Sequence, residues 1–207
     1  MIRVAPAAEP ANFDQRVRAR GNVALLTIDL TGPRPFKGKE YWQEIIPELH
    51  TAYQSICAYT AHWIPLDVGS DTVEHFLPKS IYPNEAYEWG NYRLVCSRLN
   101  GRKGNHQDVV DPFLMPVDMF ELDFPSLLIH PRASLPRPDM ALALSTRARL
   151  KLNEERCVRA RTKYVVELRD GEITMGYLRR HAPFIHREIQ RQGIRAQLPV
   201  IMAGVIV

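Results

Sequence analysis

The chain has 207 residues and a mass of 23.8 kDa, and its 45% hydrophobic and 24% charged content is ordinary for a globular protein. This composition excludes wholesale disorder, and the length suits one well-cored domain or a small catalytic core with helical additions. The net charge of +4 is uneven, because residues 130–207 carry 15 Lys and Arg against 7 Asp and Glu. A basic half of this kind is typical of a region that contacts a polyanion, and it also fits solvated helix faces paired with acids.

Cysteine usage and apolar runs predict a cytoplasmic protein without membrane contact. The three cysteines are odd in number and unrelated in spacing, which argues against a secreted disulfide framework. The N-terminal residues lack the apolar segment of a secretory signal. The C-terminal run LPVIMAGVIV is too short to span a bilayer, so we expect a terminal strand or a buried tail.

The first third of the chain predicts little regular structure before one helix. Residues 1–22 have weak periodicity and read as an irregular lead-in. The apolar run at residues 22–30 fits a strand or a short helix. From Glu40 to about His62 the apolar residues recur with helical spacing, and Pro47 marks a kink or a boundary.

The middle of the chain predicts two short strands and a helix. Apolar residues surround Glu74 and His75 and indicate one strand, and a second apolar run follows Asn91. Gly101 and Gly104 predict a turn close to a helix.

The last third changes from extended to helical. Residues 108–138 are rich in proline and predict extended segments, with a boundary at the turn 135–138. Asn153 is placed to be the N-cap of a helix with acids in its first turn. A last helix over about residues 172–192 should be disturbed at Pro183.

Residues suited to phosphodiester hydrolysis concentrate in the middle of the chain. An acid next to a histidine is followed by two asparagines and a basic group, namely Glu74, His75, Asn91, Asn100, Arg98, Arg102 and Lys103. A neutral imidazole can take a proton from water, and a hard divalent cation held by oxygen ligands can offset the charge on the phosphate. Basic side chains can hold the substrate backbone.

This stretch resembles the ββα-metal core of the His-Asn-His (HNH) nucleases. In that family an acid-histidine pair on the first strand is followed by the block N-L-x-x-L-C-x-x-C-[HN]-x-x-K, and residues 91–103 match it position for position in spacing. The resemblance implies an α+β fold with a ββα-metal core and mostly helical additions. We therefore expect a lead-in at 1–40, a nuclease core with its preceding helix at 41–130, and a basic helical region at 131–207 packed on the core.

The resemblance also assigns roles to residues. His75 is expected to be the general base, and Asn91 is expected to hold the loop and orient that histidine. The expected metal ligands are Glu74 and Asn100, an oxygen set suited to Mg²⁺ or Mn²⁺. The expected phosphate contacts are Lys79, Arg98, Arg102 and Lys103, and the secondary candidates are Asn105 and His106.

Within the family, the chain is most similar to HNH proteins of bacterial antiphage systems, of the Septu and retron-associated types. The blocks EHFLPKS at 74–80 and LNGRKGN at 99–105 carry this similarity, and a Leu-x-Leu-Asn block at 150–153 with later arginines extends it. Such proteins often act beside an ATPase, and this sequence has no phosphate-binding loop, so an ATPase partner is implied.

The chain departs from the family at the structural zinc. Many members hold zinc with two Cys-x-x-Cys pairs, but Thr60 and Leu99 replace the second cysteine of each pair and leave Cys57 and Cys96. Two thiolates do not make a closed tetrahedral site, even with His62 as a possible third ligand. We expect no structural zinc.

The sequence thus predicts a metal-dependent endonuclease that hydrolyses DNA, with a role in defence against phage. Two alternatives stay open. The chain could be a non-catalytic nucleic-acid-binding subunit that keeps the HNH fold, or an HNH nuclease that cleaves RNA.

Overall fold

A computed structural model describes residues 1–65 and 71–206, and these residues form two compact units. The N-terminal unit comprises Ala5–Cys57 and Ile64–Gln107, and the C-terminal unit comprises Met1–Val4, Ala58–Trp63 and Asp108–Val207. Within the described part of the chain the fold is mixed α and β, with two small antiparallel sheets and eight α-helices.

The residues described in the N-terminal unit form three α-helices and one sheet. In chain order its main elements are a π-helical turn Asp14–Arg18, α1 Ala19–Leu25, a 3-10 helix Tyr41–Ile45, α2 Ile46–Ala52, β1 Asp71–His75, β2 Tyr92–Cys96 and α3 Ser97–Lys103. Two further 3-10 turns, Pro83–Glu85 and Trp89–Asn91, lie between the strands.

The sheet of this unit is a two-stranded antiparallel pair that leads directly into a helix. His75 lies opposite Tyr92 in the register of β1 and β2, so the two strands lie where the sequence predicts them. α3 starts at the residue after β2, and Gly101 lies inside it. The predicted turn forms only at Gly104, whose φ of 43° lies in the region that glycine adopts without steric cost.

The segment before this sheet is more regular than its sequence indicates. Residues 14–25 are helical although weak periodicity predicts irregular structure there. The reason is tertiary packing, because Phe13 is buried and its ring lies edge-on to Trp89 at 5.7 Å and to Tyr92 at 5.8 Å between centroids. Packing of an apolar face stabilises a helix more than local propensity does.

The predicted helix from Glu40 to His62 is shorter and divided. Pro47 lies in the first turn of α2, where its missing N–H is tolerated, so it marks a boundary. α2 ends at Ala52, and Gln54 and Ser55 follow with φ values of 52° and 58°. These left-handed conformations cannot continue an α-helix.

The C-terminal unit combines a small sheet with five helices among its described residues. Its elements are β3 Phe120–Leu122, β4 Ile129–Pro131, α4 Arg137–Arg149, α5 Glu155–Arg169, α6 Met175–His181, α7 Pro183–Gln192, a 3-10 turn Arg195–Gln197 and α8 Leu198–Ile201. The predicted last helix is interrupted before Pro183, as expected. The apolar C-terminal run forms the short α8 rather than a strand, and its last residue lies outside the described residues.

The predicted helix cap at Asn153 is wrong. The N-cap of α5 is Glu154, and Asn153 instead extends the edge of β4: its Oδ1 accepts the Ile129 N–H at 2.8 Å and its Nδ2 donates to the Ile129 carbonyl at 2.9 Å. Arg161 on α5 is buried and donates to the carbonyls of Leu127 and Leu152. Asn153 and Arg161 of this block therefore have structural contacts.

Residues 108–131 lie with the C-terminal helices, although the sequence places the boundary near residue 130. The Val110 N–H donates to Thr146 Oγ1 at 2.8 Å, and the Leu122 N–H donates to Glu188 Oε2 at 3.2 Å. These bonds join the extended segments to α4 and α7. None of the helices described here combines the length and apolar character needed to cross a bilayer.

Candidate active site

Two neighbouring cavities lie beside β1 and α3 in the N-terminal unit. The His75 cavity has a volume of about 250 Å³, and its lining includes Glu74, His75, Lys79 and Asn100. The Arg34 cavity has a volume of about 490 Å³. Lys79 and Asn100 belong to the walls of both. The structure thus brings the predicted base, both predicted metal ligands and one predicted phosphate contact to one place.

His75 is held as a neutral imidazole in a defined tautomer. Its Nε2 lies 3.0 Å from the Ala86 carbonyl oxygen, and since a carbonyl can only accept, Nε2 carries the proton and Nδ1 carries the lone pair. Trp42 packs edge-on against the ring at 4.7 Å between centroids. Burial, with the positive charges of Lys79 and Lys103, lowers the pKa of His75 to about 3.

This neutral state has a chemical consequence. The Nδ1 lone pair is available to accept a proton, which is the requirement for a general base. A pKa of about 3 makes the free imidazole of His75 a weak base. An anionic phosphate in the cavity raises that pKa, because a nearby opposite charge favours the imidazolium. The base strength of His75 would therefore increase beside an anionic group.

Asn91 ties together the two segments that frame His75. Its Oδ1 accepts the Leu77 N–H at 2.7 Å, and its Nδ2 donates to the carbonyls of Leu77 at 3.0 Å and Glu85 at 2.9 Å. Its own carbonyl accepts the Phe76 N–H. These bonds link the loop after β1 to the residues before β2, so Asn91 is a positioning residue that holds the end of β1 in place.

Lys103 has a different place from the one predicted. Its side chain is fully buried, and Nζ lies 3.1 Å from Oε1 of Glu74, which is itself 1% exposed. The ammonium also donates to the carbonyls of His75 at 3.3 Å and Phe76 at 2.6 Å. A buried ammonium cannot meet a phosphate in solution. The predicted phosphate contact of Lys103 is therefore corrected to an internal ion pair that fixes the Glu74 carboxylate.

The side-chain amide of Asn100 is oriented by β1. Its Nδ2 donates to Thr72 Oγ1 at 2.8 Å and to the Val73 carbonyl at 3.2 Å. Both NH₂ protons are used in this way, so Oδ1 is the amide atom left to serve as a ligand. Asn100 is half-buried on α3 and lines both cavities.

The donor set fits a hard divalent cation. Within residues 1–65 and 71–206, no group of three or more His, Cys, Asp or Glu side chains is placed to hold a metal ion. The predicted ligands that line the His75 cavity, the Glu74 carboxylate and the Asn100 amide oxygen, could hold such an ion together with water. One carboxylate, one amide and water are a usual shell for Mg²⁺, which keeps several waters. The Lys103 ammonium reduces the negative charge of this set.

Lys79 is the predicted phosphate contact that the structure places at the site. It lines both cavities, and its Nζ lies 5.2 Å from the centroid of the Trp42 ring. Burial lowers the pKa of Lys79 below its ordinary value, while the carboxylates of Glu74 and Glu40 act in the opposite direction. A partly desolvated ammonium beside the histidine is suited to an incoming anion.

Of the four other predicted residues, three lie outside the linings of both cavities. Arg98 and Arg102 are one helical turn apart on α3 and about 200° around the helix from Asn100, so neither lines the cavities. Asn105 lines the His75 cavity and accepts a hydrogen bond from Ser80 Oγ at 2.9 Å. His106 is exposed and lies outside both linings.

Cys57 and Cys96, which align with the zinc motif of the HNH nucleases, are neighbours in this fold. The Cys96 N–H donates to Cys57 Sγ at 3.5 Å. Leu99, which occupies a cysteine position of the motif, is buried and fills an apolar position in α3.

Two groups of site residues are absent from the sequence predictions. Trp42, which packs on His75, has a helical spacing that predicts only core packing. Arg34 and Lys37 line the Arg34 cavity from a segment that sequence reasoning treats as a break in regular structure. The sequence signal that could have identified these residues is the basic and aromatic run Arg-Pro-Phe-Lys at 34–37, shortly before Trp42.

The comparisons with known proteins agree with part of these predictions. No protein-family model matches the chain, and no solved structure matches it. A stretch of 44 residues is 48% identical to the Septu protein PtuB of Bacillus thuringiensis and covers 21% of this chain and 17% of that protein. The chain is thus similar to a Septu protein over a short region that spans about a sixth of the relative's length.

Proposed function

We propose that this chain is a metal-dependent endonuclease that hydrolyses DNA phosphodiester bonds, with β1, β2 and α3 as a core of the HNH type. The observation that carries the proposal is the His75 cavity, where a neutral imidazole in a fixed tautomer lies with a carboxylate and an amide oxygen. The similarity to the Septu protein PtuB supports a role in defence against phage and a partner protein, for which an ATPase is our candidate.

The protein side chains divide the chemistry among them. His75 Nδ1 takes a proton from the water that attacks phosphorus, and Asn91 keeps the imidazole in position for that transfer. Glu74 and Asn100 would hold Mg²⁺ or Mn²⁺, which supplies charge stabilisation at the phosphate and the leaving oxygen. Lys79 attracts the anionic substrate to the cavity.

One observation favours a second candidate, a nucleic-acid-binding protein without catalysis. The Glu74 carboxylate already has a cation at 3.1 Å, the Lys103 ammonium. If the Lys103 ammonium offsets the negative charge of Glu74, the carboxylate attracts a metal ion only weakly. The polynucleotide would then bind beside Lys79 and dissociate without being cleaved.

A plasmid nicking assay separates these functions. We expect the wild type to nick supercoiled DNA with Mg²⁺ or Mn²⁺ and not with EDTA, and His75→Ala to lose about 10²- to 10⁴-fold in rate, the usual contribution of a general base. His186→Ala, which removes a histidine of α7 in the C-terminal unit, is the matched control and should keep full activity.

The outcomes distinguish the candidates. Equal nicking by the wild type and His75→Ala would refute the assigned base. Binding of DNA without cleavage under any metal condition would support the non-catalytic protein, and cleavage of RNA alone would identify an RNA-cleaving nuclease. Nicking that appears only with a copurified ATPase would support a regulated defence complex.

A further inference from the structure

The Arg34 cavity is unused by the chemistry assigned to His75. It carries two exposed cationic side chains, Arg34 and Lys37, on the segment before the 3-10 helix at Tyr41–Ile45. Neither side chain has an ion-pair partner among residues 1–65 and 71–206. Their exposure lets an anion from solution approach both side chains.

The segment that carries these cations is anchored. Phe36, between them in sequence, is buried and packs edge-on against Trp42 at 5.8 Å and Tyr87 at 6.2 Å between centroids. The Lys37 N–H donates to the Arg34 carbonyl at 3.1 Å, and Gly38 follows with a φ of 76°, which lets the chain turn. Anchoring lowers the entropy that Arg34 and Lys37 lose when they bind a ligand.

Two carboxylates, Asp71 and Glu40, also line this cavity. Asp71 Oδ2 lies 3.1 Å from His50 Nε2. The Glu40 carboxylate acts electrostatically on Lys79. The wall thus carries three cationic side chains, Arg34, Lys37 and Lys79, against two carboxylates, and this excess of positive charge favours an anionic ligand.

The two cavities meet at shared residues. Lys79 and Asn100 line both, so these two side chains adjoin the space beside His75 and the space beside Arg34. A polynucleotide carries phosphates in series along one strand. One phosphate can therefore lie at His75 while neighbouring phosphates reach the Arg34 cavity.

We propose that Arg34 and Lys37 bind phosphates next to the scissile one, so that a DNA strand runs from the His75 cavity into the Arg34 cavity. This inference rests on the proposed function and names two substrate-binding residues outside the β1–β2–α3 core. Contacts of this kind position the strand without reading its sequence.

The test measures binding apart from cleavage. The affinity of a fluorescein-labelled DNA duplex is measured in EDTA at a series of salt concentrations for the wild type, Arg34→Gln/Lys37→Gln, Lys37→Gln and Lys39→Gln. The slope of log K against log salt is negative, and each lost phosphate contact should make it less steep by about 0.9. The slope of the double variant should therefore be less steep than that of the wild type by about 1.8. Lys39 lies two residues along the same segment but outside both cavity linings, so Lys39→Gln should keep the wild-type slope.

The outcomes separate this inference from the proposed function. A double variant with the wild-type slope and affinity would overturn the inference, even if the wild type nicks DNA. A less steep slope for the double variant supports the inference about Arg34 and Lys37. If no metal yields cleavage in that case, only the nuclease proposal is refuted. A wild type that binds no DNA overturns the strand path, and an equal loss in Lys39→Gln overturns the specific role of the cavity.

Discussion

The Lys103 ammonium and the Glu74 carboxylate form a buried ion pair in which each charge depends on the other. Lys103 is 0% exposed and Glu74 is 1% exposed, and Lys103 Nζ lies 3.1 Å from Glu74 Oε1. A buried pair of this kind adds little net stability compared with apolar residues, but the loss of one partner leaves an uncompensated charge. The pair therefore fixes where the carboxylate lies.

We expect Lys103→Ala to lower the free energy of unfolding by about 3–5 kcal/mol, because Glu74 loses its cation and two backbone carbonyls lose a donor. Urea denaturation followed by circular dichroism measures the change. Arg98→Ala, an exposed position of the same helix, is the control and should stay within about 0.5 kcal/mol of the wild type.

A double-mutant cycle identifies the cause. Adding Glu74→Gln to Lys103→Ala removes the orphaned charge and should recover part of the lost stability. If the double variant is as unstable as the sum of the single variants, the two side chains do not interact.

At the scale of elements, α1 and the loop before β2 meet at a glycine. A Cβ at Gly21 would lie 2.0 Å from Cγ of Tyr87, a fully buried ring whose hydroxyl donates to the Lys39 carbonyl at 3.0 Å. The ring is held on several sides and cannot move away. Only a residue without a side chain lets α1 come this close.

The same substitution should have opposite effects in α1 and α3. Gly21→Ala should destabilise the protein by about 1–3 kcal/mol or more through overpacking. A Cβ at Gly101 has no atom within 4 Å, so Gly101→Ala should stabilise the helix by about 0.5–1 kcal/mol. Thermal denaturation of both variants measures the difference, and a lower Tm for Gly101→Ala would contradict the geometry of α3.

At the scale of the whole molecule, the positive charge lies in the C-terminal part of the chain, where residues 130–207 carry 15 Lys and Arg against 7 Asp and Glu. Several of these cations are engaged internally, such as Arg161 in the core and Arg149 with Asp108 at 3.0 Å. Arg156 and Arg159 on α5 are exposed. Exposed arginines of this kind favour contact with a polyanion.

We expect Arg156→Gln/Arg159→Gln to elute from a heparin column at lower salt than the wild type, because two cations that face solvent are lost. Arg149→Gln removes a charge already paired with Asp108 and should change elution less per charge. Equal shifts per charge would show that net charge alone, and not the availability of these two arginines, governs the attraction.

The sequence by itself determined the parts of this protein that depend on local spacing. The order of two strands and a helix follows from apolar runs within some thirty residues. The meeting of Glu74, His75 and Asn100 follows from that order, because the strands pair directly and α3 starts where β2 ends. The alternation and spacing of apolar residues predict such short-range geometry well.

Only the tertiary structure decided which charges are buried and which segments meet. Lys103 reads as a solvent-facing cation in sequence, yet it is fully buried and paired with Glu74. Arg34 reaches the site from far along the chain, and Asn153 pairs with Ile129 rather than capping α5. Desolvation and pairing depend on long-range contacts, and residue spacing carries no information about them.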